Sequence, residues 1–233
     1  MRRSIAAVLF DKDGTLFDFG ATWDGWGMRV IEDLSGGDPE HARDLALTVR
    51  YDLAAARFLP DSPVIAGTNR EVADCLLRAL PGWTAARVEK RLVAHAAAAP
   101  LVEAVALVPF LALLSARDLD LGVMTNDDEA LARAHLGEVG VVNMFDFIAG
   151  ADSGFGAKPS PAPLLAFCRA VGVAPAQAVM VGDSTHDLKA GRAAGMLCVG
   201  VLTGVAGRET LAPLADAVLP DVGHLPDWLD GRI

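Results

Sequence analysis

The sequence predicts a doubly wound, Rossmann-like α/β fold: a parallel sheet covered by helices, with an α-helical cap domain inserted into it. Three observations carry this expectation. Short apolar runs alternate with helix-period segments along most of the chain. The runs lack the strict alternation of a half-exposed strand, as expected when both faces of a sheet are buried. And the stretch between the first two runs, Leu16 to Asp118, is far longer than one crossover helix needs.

The first strand is expected at Ala6–Asp11 and runs directly into Asp11-Lys12-Asp13-Gly14-Thr15. The long stretch after it reads as helices over Trp26–Leu34, Glu40–Phe58, Asn69–Leu80 and Thr84–Ala98. Gly36-Gly37-Asp38-Pro39, Leu59–Pro63 and Pro81-Gly82 punctuate them. The alanine-rich Ala94–Ala99 belongs to the last helix. We place the helical cap at residues 17–103 and the α/β core at residues 1–16 and 104–233. The two neighbouring crossings, Phe17–Gly20 and Pro100–Glu103, are positioned to act as a hinge. The second strand, Leu119–Asn126, leads to a helix over Ala130–Val139. The third, Phe145–Gly150, leads to one over Ala162–Val171. The fourth, Ala178–Asp183, leads to one over Leu188–Ala194 that stops at a capping Gly195. Met196–Leu202 is the fifth strand, and Ala217–Val222 adds an edge strand limited by Pro220.

At 233 residues, 52% of them apolar, the chain can build a large core. A net charge of −10 argues against a nucleic-acid partner but not against an anionic substrate, because local cations decide that. Cys75, Cys168 and Cys198 have neither metal nor redox spacing and read as reduced thiols of a cytoplasmic protein. Arg2-Arg3 precedes an apolar run too short for a secretion signal, and Asp11 ends that run. The longest later apolar stretch, Ala104–Leu114, contains Pro109 and falls short of the ~20 residues a membrane span requires. No membrane partner is expected, and a monomer or homodimer is the expected working unit.

In an open α/β sheet, ligands bind beyond the carboxyl ends of the strands. Those ends carry Asp11 and Asp13, then Thr125 and Asn126, then Asp183 with Asp187 a helical turn on. Lys158 lies between the third and fourth strands. Two acids one residue apart repel, and a hard divalent cation or a proton relieves the repulsion. The set suits phosphoryl transfer. Asp11 is the candidate nucleophile, with Asp13 the candidate acid and base. Thr125, Asn126 and Lys158 are candidates to hold the phosphoryl oxygens, and Asp183, with Asp187 through water, to hold Mg²⁺. For Asp13 to act as an acid, its surroundings should oppose ionisation.

The motifs Asp11-Lys12-Asp13-Gly14-Thr15-Leu16, Val123-Met124-Thr125-Asn126, Lys158-Pro159 and Val181-Gly182-Asp183-Ser184-Thr185-His186-Asp187 occur in this order. Together they resemble those of the haloacid dehalogenase superfamily, and the last looks most like its phosphoglycolate phosphatase branch. The resemblance implies Asp11 as nucleophile and Asp13 as acid/base. It implies Mg²⁺ on Asp11, the Asp13 backbone carbonyl and Asp183. One departure is the glycine-bracketed Ser153–Gly156 before Lys158.

The function expected is Mg²⁺-dependent hydrolysis of a small phosphorylated metabolite, phosphoglycolate-like or a sugar phosphate, through an aspartyl-phosphate. A β-phosphoglucomutase-like phosphosugar mutase shares the motifs. A 2-haloacid dehalogenase shares the nucleophile, but it has no need of Asp13. A non-catalytic binding module has no use for the full carboxylate set. Trp23 and Trp26 read as cap packing or substrate cover, and Arg50, Arg57 and Arg70 as solvated helix faces. His95 reads as structural, and His186 and Ser184 as loop residues.

Overall fold

The computed structural model describes residues 4–230, so Arg2-Arg3 lies outside the described residues. In chain order it forms β1 (Ala7–Phe10), α1 (Phe19–Ser35), α2 (Pro39–Thr48), β2 (Tyr51–Asp52), β3 (Arg57–Phe58), α3 (Asn69–Leu76), α4 (Ala85–Ala96) and α5 (Leu107–Ser115). There follow β4 (Asp120–Met124), α6 (Glu129–Glu138), β5 (Phe147–Ala149), α7 (Ala162–Val171), β6 (Ala178–Gly182), α8 (Thr185–Ala194), β7 (Leu197–Val201), α9 (Arg208–Leu211), β8 (Ala217–Leu219) and α10 (Leu225–Leu229). The chain divides into two compact units. One runs up to Asp18 and resumes at Glu103, and the other is Phe19–Val102.

The first unit holds a six-stranded sheet in the order β5-β4-β1-β6-β7-β8, with every pairing parallel. This is the doubly wound fold the apolar runs predict. Every residue of β1 and β6 is buried, which explains their unbroken apolar character. Gly122 of β4 carries no side chain because Phe167 of α7 and Leu9 fill that space. The chain leaves β1 toward β4 and β5 on one side and returns to β6 on the other. That reversal is the switch point where such sheets bind ligands. Register sets Phe10 level with both Val123 and Val181. Asp11, Thr125 and Asp183 therefore emerge almost side by side.

The second unit is helical, with one departure from expectation. Glu40–Phe58 does not form a single helix: α2 ends at Thr48, and β2 pairs antiparallel with β3. The Asp52 carboxylate accepts the Ala54 and Ala55 amides, a local turn that outcompetes the alanine helix signal. Arg50 takes a left-handed φ of 56° at the break. The hairpin brings Tyr51 and Phe58 edge-to-face at 4.9 Å. Trp23 and Trp26 of α1 are buried against one another at 5.3 Å, and the Trp26 indole N–H donates to the Leu92 carbonyl at 3.3 Å. Both tryptophans pack this unit's interior. Arg50 pairs with Asp61, Arg70 with Asp74, and His95 with Asp33. No helix among the described residues is long and apolar enough to cross a membrane.

Gly27 of α1 tests how tightly this unit is packed. A Cβ there would meet Phe58 at 2.6 Å and Tyr51 at 2.8 Å. Alanine improves helix propensity by about 1 kcal/mol, whereas overpacking two mutually packed rings costs about 1–3 kcal/mol. Gly27→Ala is therefore expected to lower stability by about 1 kcal/mol, read as a lower urea midpoint. A raised midpoint would show that the rings yield freely.

Candidate active site

Asp11 stands one residue beyond β1, its amide N–H donating to the Val181 carbonyl of β6 at 2.8 Å. The backbone then turns at Gly14, whose φ is 80°. The amides of Leu16 and Phe17 both donate back to the Lys12 carbonyl, at 2.9 and 3.1 Å. This tight return keeps Asp11, Asp13 and Thr15 on one loop at the carboxyl edge of the sheet. The Thr15 hydroxyl donates to Asp183 Oδ1 at 3.3 Å, and that of Thr203, beyond β7, donates to the Gly14 carbonyl at 2.7 Å.

Lys158 is buried, with its Nζ 2.7 Å from Asp11 Oδ1 and 2.7 Å from Asp187 Oδ1. Asn126 sets its place. The Asn126 amide donates to the Lys158 carbonyl and accepts from the Lys158 N–H, both at 2.9 Å. Asn126, expected among the phosphate contacts, thus clasps the Lys158 backbone. Thr125 is also buried; its N–H donates to the Ala149 carbonyl and its Oγ1 accepts from the Asp127 N–H, each at 3.1 Å.

The helix expected from Leu188 begins three residues earlier, at Thr185, because Ser184 caps it. Ser184 and Asp187 form a reciprocal capping box: Asp187 Oδ2 accepts from the Ser184 N–H at 3.0 Å and from its hydroxyl at 2.6 Å. That geometry turns the other Asp187 oxygen toward Lys158. Asp187 is therefore at once a helix-start acid and part of the cluster.

Oxygen atoms of Asp11, Asp183 and Asp187 lie within 4.8 Å of one another, and all three residues are buried. Burial pushes the Asp11 carboxyl up to about 7, against the pull of Lys158 and with the repulsion of Asp187. Burial, then Asp11 and Asp187, hold Asp183 well above the carboxylate range. Burial opposes charge on Lys158, but Asp11 and Asp187 more than offset it, and its ammonium is held above the usual lysine value. Asp183 Oδ2 is buried with no hydrogen-bond partner among the described residues. A buried acceptor of this kind needs a partner, and the all-oxygen donor set suits a hard divalent cation.

The Asp13 carboxyl is not part of that three-residue cluster. It pairs with Lys12, whose Nζ lies 2.6 Å from Asp13 Oδ2, 3.1 Å from Asp127 Oδ2 and 3.2 Å from His135 Nδ1. Asp13 and Asp127 thus share the one Lys12 ammonium. Asp127 itself is pushed up to about 6, first by burial and then by Asp13, against Lys12. Lys12, Asp127, His135 and Thr203 join the site although no motif singles them out as chemical groups. Only Lys12 left a local signal, an ammonium set between two acids at the end of a buried strand.

The family model for haloacid dehalogenase-like hydrolases matches residues 5–195. The chain belongs to this family. Among its relatives, a phosphoglycolate phosphatase of Neisseria meningitidis is 44% identical over 119 residues, which cover 50% of each chain. Against several such curated relatives the chain spans only about half their length. A phosphoglycolate phosphatase of Yersinia pseudotuberculosis is 29% identical over 97% of this chain and 93% of its own. The crystal structure of β-phosphoglucomutase from Clostridium difficile matches with a TM-score of 0.69 at 18% identity, covering 98% of this chain and 96% of that one. The last likeness concerns the fold alone. Hydrolases and mutases share the haloacid dehalogenase scaffold, so function has to be argued from the site.

Proposed function

We propose that the chain is a phosphatase that hydrolyses a small phosphate monoester through an aspartyl-phosphate on Asp11. The observation that carries this reading is Lys158 Nζ set between Asp11 and Asp187 beside Asp183, at the carboxyl ends of the central strands. Asp11 attacks phosphorus, and the bond from phosphorus to the leaving oxygen breaks. Asp13 gives that oxygen its proton. Asp13 then takes a proton from water as the water attacks the same phosphorus, which releases phosphate and restores Asp11. Lys158 donates to the phosphoryl oxygens. The Thr125 hydroxyl accepts the Asp127 amide and so keeps its own proton to donate. Asp11, Asp183 and the Asp13 backbone carbonyl would hold Mg²⁺, which offsets the repulsion between a carboxylate nucleophile and a dianionic substrate. Asp187 can reach the metal only through the oxygen it shares with Lys158, since Ser184 takes the other.

The names of the relatives make 2-phosphoglycolate the first substrate to try. Free thiols at Cys75, Cys168 and Cys198 fit a reducing cytoplasm. The test is phosphate release from 2-phosphoglycolate, glucose 1-phosphate, glycerol 3-phosphate and p-nitrophenyl phosphate, with Mg²⁺ and with EDTA. Release on at least one ester, lost in EDTA, is expected. Conversion of glucose 1-phosphate to its 6-phosphate isomer would replace hydrolysis with the mutase reading. No release from any ester would overturn the proposal.

A further inference from the structure

We infer that Lys12 is a positioning residue for Asp13, held in place by Asp127 and His135, and that it acts on leaving-group departure through Asp13 alone. The inference rests on the reading of Asp13 as the acid.

Lys12 is completely buried, and burying an ammonium is costly unless it is paired and hydrogen-bonded. The fold has no need of it: an apolar side chain at the end of a buried strand would carry no such cost. Its Nζ lies within 3.2 Å of Asp13, Asp127 and His135, and Asp13 is the nearest at 2.6 Å. An ammonium has no lone pair, so His135 Nδ1 is the acceptor and its ring proton resides on Nε2. The two supports come from different places. Asp127 lies in the loop after β4, its N–H bound to Thr125, and His135 lies in the buried face of α6. Lys12 is therefore anchored to the loop that carries Thr125 as well as to a helix. Each acid of the Asp11–Asp13 pair has its own lysine: Lys158 on Asp11 and Lys12 on Asp13. With three acceptors around it, Lys12 holds one oxygen of Asp13, which fixes the direction of the other.

The readout is the dependence on leaving group. An alkoxide needs its proton as it departs, and p-nitrophenoxide needs it far less. kcat/KM reports steps up to and including that departure, so regeneration of Asp11 does not enter. Loss of a positioned general acid costs about 10²–10⁴-fold on a poor leaving group. Lys12→Met should lower kcat/KM for the best alkyl phosphate of the panel by about 10–100-fold, and for p-nitrophenyl phosphate by less than about threefold. Asp13→Asn should show the same pattern, enlarged. In the Asp13→Asn background, Lys12→Met should cost less than about twofold more. Asp127→Asn keeps the shape and an acceptor, and it decides the matter if Lys12→Met does not fold; it should show a smaller loss with the same leaving-group bias. Equal losses on the two esters, in Lys12→Met or in Asp127→Asn where that variant decides, would overturn the inference, as would full additivity in the double variant. If Asp13→Asn itself shows no leaving-group bias, the acid reading falls and takes the inference with it. If Asp13→Asn shows the bias and the Lys12 and Asp127 variants do not, only the inference fails.

Discussion

Asp11→Asn should lower phosphate release by about 10⁴-fold or more while making the metal-free protein more stable, not less. The loss follows from chemistry. A carboxamide has the shape of the carboxylate but not its nucleophilic charge, so no covalent intermediate forms. The fold has little reason to fail, because the amide oxygen can still accept the hydrogen bond that Lys158 Nζ makes to Asp11 Oδ1 at 2.7 Å.

The gain in stability comes from the same burial that prepares the site. Without a cation, Asp11, Asp183 and Asp187 set three carboxylates against the single ammonium of Lys158. Burial, opposed by Lys158 and aided by Asp187, carries Asp11 from its ordinary 3.8 to about 7. A carboxyl that holds its proton more tightly when folded stabilises the fold at low pH, and the protein loses stability as pH rises through that window. The penalty is absent below about pH 4 and complete above about pH 7. In EDTA the Asp11→Asn protein should therefore melt above the wild type at pH 8, by about 2–4 °C for each kcal/mol relieved. At pH 5 the difference should shrink. Thermal melts at the two pH values, with activity assays in Mg²⁺, check both halves. Activity within tenfold of the wild type, or a lower melting point at pH 8, would remove Asp11 from the role of nucleophile in a strained site.

The parts of this site that were legible in the sequence are those set by single strands. Burial on both faces writes β1, β4 and β6 as apolar runs, and the first polar residues after them are Asp11, Thr125 and Asp183. The loop geometry was not legible, because its partners are far apart in the chain. The amide of Asn126 reads equally well as a helix cap or a phosphate contact until Lys158, 32 residues on, is seen to take both of its atoms. His135 looks like any helix histidine until it meets Lys12, 123 residues away. In the helical unit, the alanines near residue 55 favour helix, and one local side-chain turn at Asp52 cancels that preference. Local propensity carried the strands because tertiary burial agreed with it, and it failed in the hairpin where a turn did not.

Gly204→Ala should weaken Mg²⁺ binding by about 10–100-fold without unfolding the protein, although residue 204 carries no chemistry of its own. Gly204 is not among the glycines with positive φ, so conformational freedom does not account for it. Space does: a Cβ at Gly204 would fall on the carboxylate of Asp183, and so would one at Gly14 on the opposing loop. Asp183 thus projects between two stretches of bare backbone, a fit that places its oxygens without leaving room to turn. Neither wall can retreat easily. The Thr203 hydroxyl ties the Gly204 loop to the Gly14 carbonyl at 2.7 Å, and the Thr15 hydroxyl holds Asp183 Oδ1 at 3.3 Å. A methyl group must therefore displace the carboxylate whose Oδ2 lacks any hydrogen-bond partner among the described residues, the oxygen best suited to a cation. Calorimetric titration of the metal-free variant with Mg²⁺ measures this directly. Gly137→Ala in α6 serves as the control, since a Cβ there meets nothing within 4 Å. If Gly204→Ala binds Mg²⁺ as tightly as the control, then Asp183 is free to move and the metal depends less on its placement than the packing implies.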